Sequence, residues 1–166
     1  MEIPSQLYTT YHEFASDMIL LNFGQSCRLI YPDKLTPCPN CYQDSSTNRS
    51  TNIYKPGGPQ SFTIGFCGWC NGDGFLKTEK SDTIRLRIYH DKKYFTKLPI
   101  DIQLQDGDVQ VFGFMTDLPK LQMAVSIMLH TDAEGYTRQK YVLYGQPQPH
   151  GLGPTRRYFI AYLRFI

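Results

Sequence analysis

Two CxxC pairs, Cys38-Pro39-Asn40-Cys41 and Cys67-Gly68-Trp69-Cys70, bracket a long polar stretch, and no other feature of the chain restricts its folding as strongly. Each CxxC turn aims two thiolates at one point. Two such turns complete the tetrahedron that Zn2+ accepts from soft ligands. Residues 32–74 around them are rich in Pro, Gly, Ser, Thr and Asn, with too little apolar surface to order so long a loop. A bound metal can supply the missing folding free energy, on the order of 10 kcal/mol or more. The expectation is an inserted zinc ribbon over 32–74 with Cys38, Cys41, Cys67 and Cys70 as ligands. Four protein ligands leave no place for water, so the zinc would be structural and not catalytic. Two disulfides, or an iron site or iron–sulfur cluster, are the competing readings of the same residues. Cys27 stands apart in an apolar segment and reads as a small buried residue.

The rest of the chain reads as a β domain. Tyr11, Phe14, Met18 and Leu21 form one apolar stripe on a helix predicted over 10–22, with Thr10 and Glu13 as a capping box and Gly24 as the stop. A strand follows at 26–31. Residues 83–90 alternate cleanly, with Ile84, Leu86 and Ile88 on one face and Arg85, Arg87 and Tyr89 on the other. Further short strands are expected at 100–105, 109–115, 124–130, 138–144 and 157–165, with turn signals at Asp106-Gly107 and Glu134-Gly135. A short helix running into a strand is the second reading of 118–128. Residues 145–154 read as an extended, projecting Pro/Gly loop. The fold class is therefore mainly β: a small antiparallel barrel or sandwich over 1–166, with an N-terminal helix and the inserted zinc ribbon.

With 166 residues, 41% hydrophobic and 19% charged, the chain can bury one real core and is neither disordered nor highly charged. A net charge of +2 does not demand a nucleic-acid partner. The charges are nonetheless segregated: 101–135 is acidic apart from Lys120, and 136–166 has five cations and no acid. No apolar run approaches the roughly 20 residues of a membrane span, and the N-terminus lacks a signal-peptide pattern. A cytosolic origin without a membrane partner is expected. His12, His90, His130 and His150 are scattered with no catalytic motif beside them, so no enzymatic activity is expected.

Several of these features together resemble a known group. The helix leads into Phe23-Gly24-Gln25-Ser26-Cys27-Arg28-Leu29-Ile30-Tyr31. Then come a CxxC, the segment Tyr54-Lys55-Pro56-Gly57-Gly58-Pro59, and a second CxxC followed by Gly72 and Gly74. Near the end, Gly151-Leu152-Gly153 precedes an aromatic strand. This series resembles virion structural proteins of contractile-tailed phages over most of the chain. The first thirty or so residues also look like the start of small head–tail joining proteins, which form rings below the portal and have β-barrel cores. The resemblance implies a ring-forming head-to-tail connector of the neck, or alternatively a baseplate or other tail protein. Its partners would be copies of itself and other neck or tail proteins, and its location the virion, assembled in the host cytoplasm. Under this likeness the ribbon is an insertion between the first two barrel strands. Residues 67–74 also resemble a single CxxCxGxG repeat of the J-protein cysteine-rich domain, but the glycines read more simply as turns with positive φ beside the metal.

A reading from another class is a nucleic-acid-binding ribbon. It would use Lys77, Lys80, Arg85, Arg87, Lys92, Lys93 and Lys97, with Trp69 and Phe75 as stacking groups. Glu79, Asp82 and Asp91 dilute that patch.

Overall fold

The computed structural model describes residues 4–63, 65–95, 102–129, 139–151 and 156–166, without the side chains of Leu20 and Leu21. Expectations for Lys97, His130, the Glu134-Gly135 turn and residues 152–155 fall outside this set. The chain divides into two compact units, Met1–Tyr31 with Ser81–Ile166, and Pro32–Lys80. Helix α1 (Ser5–Asp17) passes through a π-helical turn (Met18–Asn22) into β1 (Gly24–Ile30). The second unit holds β2 (Lys34–Pro37), β3 (Cys41–Asp44), β4 (Arg49–Tyr54) and β5 (Phe75–Thr78). The chain then returns to the first unit with β6 (Ser81–Tyr89), β7 (Val109–Phe114), α2 (Leu118–Met123), β8 (Ser126–Leu129), β9 (Gln139–His150) and β10 (Tyr158–Phe165).

The six strands of the first unit pair antiparallel in the order β1-β6-β7-β10-β9-β8, and β8 pairs back onto β1, closing the sheet into a barrel. Closure removes most of the free edge that would otherwise invite pairing with other chains. Alternate residues point inward: Cys27 and Leu29 from β1, Ile84 and Leu86 from β6, Val109 and Val111 from β7, and Phe159, Ala161 and Leu163 from β10. Helix α2 adds Leu121, fully buried, to the same core. The sequence pattern at 83–90 is thus a barrel strand, and the helix-then-strand reading of 118–128 is the observed one.

Strand β10 is buried on both faces because α1 and the π-helical turn cover Tyr158 on its outer side and Phe95 and Gln110 meet Tyr162. Ala15, Ile19 and Tyr158 form a second small core flanked by Tyr11, Phe112 and Phe114. The Tyr158 hydroxyl donates to the His12 carbonyl at 2.8 Å, and its ring stacks on Phe112 with centroids 5.1 Å apart. Here the expected helix needs correction. It begins at Ser5 behind Pro4, so Thr10 lies in mid-helix and cannot cap. The buried positions are His12, Ala15 and Ile19, while Phe14 is 63% exposed. Docking against aromatic strands favours a small Ala at the closest approach, which a count of large apolar residues overlooks.

Two other expectations differ from the structure. Residues 102–105 form no strand; Asp108 and Arg164 hold this segment by side-chain bonds instead, Asp108 accepting from the Gln105 N–H at 2.8 Å and Arg164 donating to the Gln103 carbonyl at 2.8 Å. Asp108 and Arg164 themselves approach to 3.6 Å, so one acid from the acidic stretch meets one cation from the basic stretch inside this unit. Residues 145–150 do not project as a loop, because β9 runs on to His150 opposite Tyr158. The ladder shifts so that 145–147 face Ala161 alone, a bulge that lets the strand bend. Pro147 and Pro149 fit here because, among the described residues, β8 pairs only with 139–141 and leaves the outer edge of β9 free.

Candidate metal centre

In the second unit β2 pairs with β5 and β3 pairs with β4, giving two short two-stranded sheets. Because β5 belongs to this pairing, the unit extends to Lys80, beyond residue 74. Its buried cluster consists of Cys38, Cys41, Cys67 and Cys70, with Phe62 and Leu76 packed against it. The first CxxC turn links β2 to β3, and the second lies ahead of β5.

The four sulfurs lie within 4.8 Å of one another, and none is disulfide-bonded. The Sγ atoms of Cys38 and Cys67 are 4.0 Å apart, and those of Cys41 and Cys70 are 3.7 Å apart. A disulfide needs about 2.05 Å. A tetrahedron of thiolates at about 2.3 Å from zinc has edges near 3.8 Å. The geometry therefore fits a cation at the centre and not two covalent bridges. The cluster can hold a metal ion, and its donor set and spacing are compatible with zinc.

Backbone and amide donors surround the sulfurs. The Asn40 N–H donates to Cys38 Sγ at 3.4 Å, the Gly74 N–H to Cys70 Sγ at 3.3 Å, and the Asn40 side-chain amide to Cys67 Sγ at 3.7 Å. Burial pushes the Cys41 thiol up to about 12 and raises Cys38 as well. Burial acts upward on Cys67 too, but bonds from the Asn40 amide and the Cys70 and Trp69 N–H groups outweigh it and bring that thiol down to about 7. Cys38 and Cys41 thus hold their protons until a cation replaces them.

Gly72 and Gly74 adopt φ of +78° and +79°, the turn conformation expected of them. A Cβ on Gly74 would lie 2.7 Å from the Ser50 nitrogen, so the β4 backbone passes too close for any side chain. The Gly74 carbonyl accepts from the Cys38 N–H at 2.9 Å, tying the two knuckles together.

Asn40 is the site residue that sequence reasoning missed. It is 1% exposed, and besides its two sulfur contacts it accepts the Gln60 N–H on Oδ1 at 2.9 Å and the Lys55 N–H on its carbonyl at 3.0 Å. It thus clamps the Lys55–Gln60 turn, where Gly58 N–H donates to the Lys55 carbonyl at 2.9 Å, onto the cysteine cluster. Its place inside a CxxC turn was the available signal, since a short amide there can reach backbone and thiolate together.

The other candidates lie elsewhere. Cys27 is fully buried in the barrel, and burial pushes its thiol up to about 12. His12 is a buried residue of α1, His90 is exposed after β6, and His150 packs edge-on against Phe112. The proposed basic patch is divided between the two units, and at least three of its seven cations are ion-paired: Lys77 with Asp73, Lys92 with Asp106 and Lys93 with Asp91. No helix among the described residues is long and apolar enough to cross a membrane. No family model, curated protein or solved structure matches the chain.

Proposed function

We propose that this protein is a non-enzymatic structural component of a tailed-phage virion, a ring-forming head-to-tail connector of the neck, in which Cys38, Cys41, Cys67 and Cys70 hold a structural zinc ion. The observation that carries the reading is a cysteine-cored unit inserted between paired strands β1 and β6 of a small closed barrel. That unit exposes large apolar side chains for its size, with Leu35 at 55%, Ile53 at 61%, Phe66 at 61% and Trp69 at 44%. Apolar surface on a segment with so little core of its own is suited to burial against neighbours. Copies of the chain in a ring, and adjoining neck or tail proteins, are the partners this reading assigns. Zinc is favoured over iron because a closed tetrathiolate supporting a small fold needs no redox change.

Immunogold labelling of intact particles isolated from the source tests virion membership and position together. Label below the head supports the neck, and label at the distal tip moves the assignment to the baseplate. No label on any particle, with an antibody shown to bind the folded protein, overturns the virion reading. The nucleic-acid-binding ribbon would then be judged by binding that falls steeply with salt. Metal analysis of the purified protein belongs with this test: about one zinc per chain supports the metal assignment, and iron in its place corrects it.

A further inference from the structure

On the outer face of the barrel, beside α1, lies a recess of about 170 Å3. It is a different place from the cysteine centre and belongs to the other unit. Its walls are largely aromatic: Tyr11 from α1 and Met18 from the π-helical turn on one side, Tyr89, Phe112 and Ile160 from the sheet on the other, with Phe14 at its mouth. A cavity of about 150 Å3 in a protein interior accommodates benzene, so this recess is sized for one ring-like group.

Three polar side chains line it, Arg87, Gln110 and His150, of which the Gln110 amide already donates to the Tyr162 hydroxyl at 2.9 Å, and none of its described lining residues is acidic. The Arg87 guanidinium lies over two rings, 4.8 Å from the Phe23 centroid and 4.8 Å from the Tyr89 centroid. Stacking fixes the plane of the guanidinium and leaves its in-plane N–H donors to point elsewhere. Yet Nη1 is buried without a hydrogen-bond partner among the described residues. A buried cationic donor left unpaired costs free energy, and such groups in native proteins normally meet an ion, a ligand or ordered water. Water would satisfy one N–H but would neither neutralise the charge nor fill an apolar recess. A carboxylate does the first through the guanidinium fork, and an attached apolar group does the second.

We propose that this recess is a binding site for a carboxylate carried on an apolar group about the size of one ring, with Arg87 as its anchor and His150 as a further polar contact. The inference does not rest on the virion reading. A free organic acid and the end of a peptide with an apolar last residue offer the same chemistry, and the test separates them.

The test is an amide NMR titration of the full chain with phenylacetate and with its neutral isostere phenylacetamide. Expected are saturable shifts at Ala15, Tyr89 and Phe112 in the millimolar range with phenylacetate, and at least about tenfold weaker binding of the amide. Arg87→Gln should remove the difference between the two compounds, while Arg87→Lys keeps part of it. The acid–amide comparison in the unsubstituted protein holds even if a variant folds poorly. Equal binding of acid and amide, or no saturable shift with either, overturns the proposal. A short peptide ending in a free Phe carboxylate then assigns the source: binding well above phenylacetate, and lost on C-terminal amidation, identifies a chain end, and binding no tighter identifies a small acid.

Discussion

Among single residues, Asn40 carries the most structural consequence for its size. Its side chain bonds to Cys67 Sγ and receives the Gln60 N–H, so it orients a ligand and secures a neighbouring loop together. Groups of this kind around a metal typically account for 10- to 100-fold in affinity. Asn40→Ala should therefore still fold around the metal but release it to a competing chelator at a concentration roughly tenfold or more lower. Unchanged affinity would show that the amide only packs. The four cysteines were legible because their chemistry needs a fixed local spacing. Asn40 was not, because its partners Lys55, Gln60 and Cys67 come from segments that meet only on folding. Cys27 makes a different prediction. Burial raises its thiol to about 12 from an ordinary 9.0, so the folded state holds the proton more tightly than the unfolded chain. Its contribution is fully present below about pH 9 and is lost, at roughly 1.4 kcal/mol per pH unit, as pH rises toward the folded value. Cys27→Ala should be less stable than the parent at pH 8, by about 1 kcal/mol, and that gap should close or invert by pH 11 in denaturant titrations. A constant gap would mean the thiol never ionises on unfolding.

Elements show where periodicity informs and where tertiary packing decides. The alternation at 83–90 translates directly into β6, because a barrel strand has one face in the core and one outside. The same rule fails for β10, whose six consecutive buried residues from Tyr158 to Leu163 show no alternation in burial once α1 covers Tyr158 and Phe95 and Gln110 meet Tyr162 on the outer face. The helix itself was visible, but its buried face was not, because the stripe of large residues includes Phe14, which is exposed at the recess, while Ala15 and Ile19 pack with Tyr158. This assignment is testable. Ile19→Ala removes a fully buried side chain from a three-residue core and should cost about 3 kcal/mol of helix docking. Hydrogen exchange should then show faster exchange in α1 with the β6–β7 ladder unaffected. Phe14→Ala, by contrast, should leave exchange in α1 unchanged. If the two variants behave alike, the docked face has been misassigned.

At the scale of the whole molecule, the two units have separate cores and different reasons to fold. The barrel closes around some fourteen buried residues, whereas the inserted unit is organised by four cysteines. The insert leaves and re-enters the barrel at neighbouring points, since Ile30 of β1 pairs with Ser81 of β6. Removing the metal should thus melt residues 32–80 and leave the barrel folded. The barrel is not expected to be indifferent, however. An unfolded insert of roughly 50 residues makes β1 and β6 close a long flexible loop, which costs about 2 kcal/mol more than closing a turn of four residues. Chelation at pH 7 should abolish exchange protection in 32–80 and lower barrel stability by about that amount, and replacing 32–80 with a short turn should restore it. Acid should have the same effect as chelation, because protons compete for the thiolates; metal affinity rises with pH and is lost on acidification. Rebinding should release about four protons per ion at pH 7, because the thiols of an unfolded insert titrate at about 8.5 and are protonated there. Proton release is readable as a buffer-dependent binding enthalpy. Collapse of the barrel together with the insert would show that the units share one core, and persistence of the insert without metal would show that the cysteines pack as thiols.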